Sequence, residues 1–86
     1  MIDFKTVVRK FPPGTVVDLA GQIAMITDIW LIDDWLHVEV IFPRNVGRSL
    51  DLLTFNRVQA KEMGMDKWKV VKPVEFYNEL KAVLKK

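Results

Sequence analysis

The chain has no cysteine, a single histidine (His37) and a single serine (Ser49) in 86 residues. Without cysteine, neither a disulfide nor a thiolate metal site can staple a small domain. That absence, with no leader-like segment at the start, predicts a protein of the cytoplasm. A nucleophile–histidine–acid triad has almost nothing to be built from, and no enzyme activity is predicted. Glycine and proline number four each, and no Gly-rich run has phosphate-cradling spacing. Nor is there a clean membrane span. The longest apolar stretch, Ile23 to Phe42, is interrupted by Asp28, Asp33, Asp34 and Glu39. A carboxylate at the bilayer centre costs about 3 kcal/mol on insertion scales.

Half of the residues are hydrophobic, so the chain has the material for one modest core. A single domain over residues 1–86 is predicted. Net charge is +2, but its distribution is uneven. Residues 1–43 carry three cations against six carboxylates, a balance of −3; residues 44–86 carry ten against five, a balance of +5. A dipolar surface of this kind steers partners.

Residues 13–42 read as three strands, TVVDL, IAMITDIWLI and WLHVEVIF. β-Branched and aromatic residues fill the runs, and Ala20-Gly21-Gln22 and Asp33-Asp34 form the turns. In the third run Leu36, Val38, Val40 and Phe42 alternate with Trp35, His37, Glu39 and Ile41, which assigns the first set to the core. The second run has no clean face and predicts a bulge near Thr27–Ile29. The third strand, with Ile41 outward, is a candidate sheet edge, which makes the protein a monomer or a weak homo-oligomer. Ser49 to Phe55 continues as a strand with Leu50 and Leu52 inward, and Trp68 to Val71 is a last short one.

Helical spacing of Phe4, Val7, Val8 and Phe11 predicts an N-terminal helix capped by Asp3 and stopped by Pro12-Pro13. Asn56 and Gln59 have capping-box spacing for a short helix over 57–63 ended by Gly64. Pro73 opens a terminal helix whose apolar stripe is Phe76, Tyr77, Leu80, Val83 and Leu84. The fold class is therefore mainly β with flanking helices, α+β.

Three segments carry a family resemblance: GTVVDL (14–19), GQIAMITDI (21–29) and LHVEVIF (36–42). They resemble the first three strands of SH3-like barrels, nearest to the KOW type of ribosomal proteins and elongation factors. Gly21, Ile26 and Ile29 match the Gly-x-x-Gly-x-Val-x-x-Ile pattern of that family. Ala24 replaces the second glycine, and Leu19-Ala20 stands where a basic loop often precedes the motif. The resemblance implies a small barrel of about five strands whose loops and one open face bind nucleic acid or protein.

Candidate functional residues follow from position. Trp30 and Trp35 flank the second hairpin and, with His37 and Ile41, form a candidate protein-binding surface. Arg44, Arg48, Arg57, Lys67 and Lys69 are candidate nucleic-acid contacts, arginine being suited to phosphate forks. Trp68, between two lysines, is assigned to the core. Asp33-Asp34 is turn chemistry. His37 with Glu39 falls short of the three or four ligands of a stable metal site, and no metal or cofactor is predicted. The expected function is a non-enzymatic interaction module or small accessory subunit binding another protein, with nucleic-acid binding as the alternative.

Overall fold

The computed structural model describes residues 3–62 and 65–85. A five-stranded antiparallel sheet forms its centre. The strands are β1 (Val16–Leu19), β2 (Gln22–Ile32), β3 (Trp35–Ile41), β4 (Asp51–Phe55) and β5 (Lys69–Val70). Their order across the sheet is β4-β3-β2-β1-β5. The helices are α1 (Phe4–Lys10), α2 (Arg57–Glu62) and α3 (Pro73–Leu84), with short 3-10 turns at Pro43–Asn45 and Met65–Lys67. Among the described residues β4 and β5 are the two sheet edges, and no ladder joins them into a closed barrel. β3 lies between β2 and β4, so it is not the edge that its outward Ile41 suggested.

Local chemistry explains the elements. The two-residue link between β1 and β2 needs left-handed backbone at Ala20 (φ 54°) and Gly21 (φ 96°), a hairpin turn for which glycine is suited. The Gly21 amide donates to the Asp18 carboxylate at 2.6 Å, tying the turn to β1. At the other hairpin Asp33 takes the left-handed conformation (φ 54°), which a short acidic side chain tolerates. The expected bulge is present: the β2–β3 register shifts between Ile26 and Asp28. There the Thr27 hydroxyl donates to Glu39, whose Oε1 lies 2.8 Å away. Asp3 caps α1 by accepting from the Lys5 amide, and Asn56 and Gln59 exchange backbone-to-side-chain bonds across the first turn of α2. The expected helix stop at Gly64 lies outside the described residues.

The core lies on one face of the sheet. Ala24, Ile26, Leu36, Val38 and Val40 are buried there, beneath Phe4, Val7 and Phe11 of the N-terminal segment. Trp68 closes this core, with Phe11 and Phe55 rings about it at 6.1 and 6.0 Å between centroids. The other face is only partly covered. α3 packs on it against β1, β2 and the Pro43–Asn45 turn, burying Phe76 and Val16.

Two expectations about facing need correction. Register pairs Leu53 with Val38 and Phe55 with Leu36, so these two point to the core, and Leu52, opposite Glu39, points outward. Leu50 and Leu52 are exposed, not buried. An apolar strand of type Leu-Asp-Leu-Leu-Thr-Phe satisfies either phase, and the buried Phe55 selects the observed one. In α3 only Phe76 is buried and Leu80 half-buried, while Tyr77, Val83 and Leu84 stay in solvent.

Candidate functional site

The uncovered part of the outer sheet face is the distal half of the β2–β3 hairpin together with β4. Residues directly opposite one another share a face, so the register defines the surface. Trp30 pairs with His37 and Ile32 with Trp35; Thr54 stands beside His37, and Leu52 beside Glu39. Ile32 is 54% exposed, Trp35 45% and Leu52 55%, while Trp30 and His37 are half-buried. Single exposed apolar residues are ordinary, whereas several on one sheet face beside a partly exposed aromatic stack mark an interaction surface; Leu52 lies four residues along β3 from the Ile32–Trp35 pair.

Trp30 and His37 pack against each other at its centre. Their rings stack in parallel, 5.2 Å between centroids and 2° from coplanar. Nδ1 of His37 is buried and has no hydrogen-bond partner among the described residues. A buried polar atom left unpaired costs on the order of 1–3 kcal/mol. Asp28 and Glu39 lie side by side on the same face, so the surface is aromatic and acidic. From Phe11 to Pro43 the chain has no lysine or arginine and five carboxylates.

Ile41, the fourth candidate for protein binding, lies at the other end of β3. It is half-buried and lines a recess of about 320 Å³ with Asn45, Gly47, Arg48, Ser49 and Leu50. Sequence reasoning missed Ile32, Leu50 and Leu52. For Leu52 the signal was the phase of β4, which only Phe55 discloses.

The candidate nucleic-acid residues are dispersed. Arg44 stacks over the Phe42 ring at 4.6 Å and lines a recess with Gly21 and Glu79. Arg57 lies at the opposite hairpin, 3.7 Å from the Asp34 carboxylate and 5.9 Å from the centre of the Phe4 ring. β2 separates Gly21 from Asp33, and its ten steps of about 3.3 Å span roughly 33 Å. Lys69 is on β5, at the far edge from β4, opposite Asp18, and Lys67 is exposed in the preceding turn. The exposed Arg57–Asp34 pair contributes little to stability.

No group of three or more His, Cys, Asp or Glu side chains among the described residues is placed to hold a metal ion. Nor is any described helix long and apolar enough to cross a membrane. What fold and site define is a small α+β domain whose sheet is covered on one face and half-covered on the other. No family model matches the chain, and no curated protein or solved structure matches it either.

Proposed function

We propose that this protein is a non-enzymatic interaction module, binding another protein through the open outer face of the β2–β3 hairpin and β4. The observation that carries this reading is the cross-strand pair Ile32 and Trp35, exposed beside the Trp30–His37 stack, with exposed Leu52 farther along the same face, opposite Glu39. Aromatic side chains held rigidly on strands supply contact area at low entropic cost, the usual make-up of an interface hot spot. The meander order, the bent β2 and the 3-10 turn ahead of β5 support an SH3-like sheet. The acidic surface favours protein over nucleic acid, because a phosphate backbone is repelled by Asp28 and Glu39. Arg44 and Arg57, at opposite ends of β2, also make a poor continuous track.

Affinity capture from native extract, with and without nuclease, separates these readings. Capture should survive nuclease, fall at least tenfold (about 1.4 kcal/mol) for Trp35→Asp, and persist for Arg48→Ala. Capture abolished by nuclease and by Arg48→Ala, but not by Trp35→Asp, would favour the nucleic-acid reading.

A further inference from the structure

α3 carries a second apolar stripe that its own sheet does not use. Phe76 and Leu80 face the protein, and Glu79 lines a recess that Arg44 also lines. Val74, Tyr77, Lys81 and Leu84 follow one another at spacings of three and four, so they share another side of the helix. Val74, Tyr77 and Leu84 are exposed, Leu84 to 75%, and the Lys81 ammonium sits over the Tyr77 ring at 4.6 Å. The stripe is thus aromatic, aliphatic and basic. The open sheet face beside it is aromatic, aliphatic and acidic.

We infer that these two surfaces are complementary halves of one contact, and that the occupant of the open face is α3 of a second copy of this chain. The inference rests on the reading of that face as a protein-binding surface and specifies its partner. A two-fold axis parallel to the sheets and across the strands lays each α3 over the distal hairpin of the other copy. Lys81 then approaches Asp28 and Glu39, while Tyr77 and Leu84 meet Trp35, Ile32 and Leu52. Such a contact is isologous and closes after two copies. Ile32, Trp35 and Leu52 on the face and Val74, Tyr77 and Leu84 on the stripe are each 45–75% exposed, so reciprocal contact covers large apolar side chains on both sides of the axis. Opposite charge on the two halves steers association and makes it sensitive to salt.

Sedimentation velocity over micromolar to sub-millimolar concentrations tests this, using wild type, Leu52→Asp on the face and Tyr77→Asp on the helix. Both positions are exposed in the monomer, and circular dichroism checks that each variant folds. Wild type should dimerise, more weakly as salt rises, and each variant alone should lose at least a hundredfold in association. Mixing the two variants should restore a heterodimer, because the intact face of one meets the intact helix of the other. A monomeric wild type, equal weakness of the mixture and the separate variants, or an effect of only one substitution overturns the inference. A monomeric wild type that still captures a protein in a Trp35-dependent way defeats self-docking alone and leaves the interaction-module reading standing. Absence of both defeats both.

Discussion

The two faces of the β2–β3 hairpin are built from similar residues and end in different surroundings. Inward, Ile29, Leu36 and Val38 share a core with Phe4, Phe11 and Trp68. Outward, Trp30, Ile32 and Trp35 lie on the same two strands, exposed or half-buried, with no helix above them among the described residues. The difference is one of cover. The N-terminal segment and α2 close the inner face, whereas α3 reaches only the proximal part of the outer one. Apolar area on the inner face therefore stabilises the fold, and apolar area on the distal outer face remains for a partner. The same side-chain chemistry acquires two purposes from what lies over it.

The comparison breaks most visibly at Trp68, which supports the inner face from β5's end and touches both Phe11 and Phe55. Trp68→Ala removes a buried ring and leaves a cavity, with an expected loss of about 3–5 kcal/mol, read as a lowered urea midpoint. A smaller effect is expected at the half-buried stack. Trp30→Ala loses its parallel contact with His37 on a half-buried part of the face, and the net loss should be about 1 kcal/mol. A loss as large as that at Trp68 would place Trp30 with the inner core.

A slighter effect concerns the attachment of α1, which covers the inner face. The Thr6 hydroxyl and the Lys5 amide donate to the Asp3 carboxylate, with Arg9 nearby, and hold its pKa below the ordinary 3.8. A carboxyl depressed in the folded state contributes stability above its ordinary pKa and loses it as pH falls through the folded value. Melting temperature followed from about pH 5 down to about pH 2 should therefore drop less steeply in Asp3→Ala than in wild type. Equal slopes would remove Asp3 from the cover of the inner face.

Much of this organisation was legible in the sequence. Strand-forming runs, both hairpin turns, the bulge, the Asp3 cap and the Asn56–Gln59 box follow from local chemistry that acts within a few residues. Facing was less legible. Leu50 and Leu52 seemed inward because leucine in a strand usually is, but Leu53 and Phe55 occupy the alternate phase and the core takes the larger ring. Tyr77 and Leu84 seemed part of the packed stripe of α3, yet the sheet beneath that helix accommodates little beyond Phe76 and Leu80. Both differences have one cause: the chain holds more apolar surface than one small core can bury. Which residues are left over is decided by tertiary register, beyond the reach of periodicity. At the candidate site, Trp30, Trp35 and His37 were identifiable from their hairpin, whereas Ile32 and Leu52 join them only through pairing between strands.

The distal outer face is not needed to fold the monomer. Equilibrium urea unfolding of the Trp35→Asp/Leu52→Asp double variant, at a concentration dilute enough to hold every species monomeric, reads this independence. The unfolding free energy should stay within about 0.5 kcal/mol of wild type, as for exposed substitutions. A loss of about 2 kcal/mol or more, in the range of buried apolar groups, would make this face part of the core.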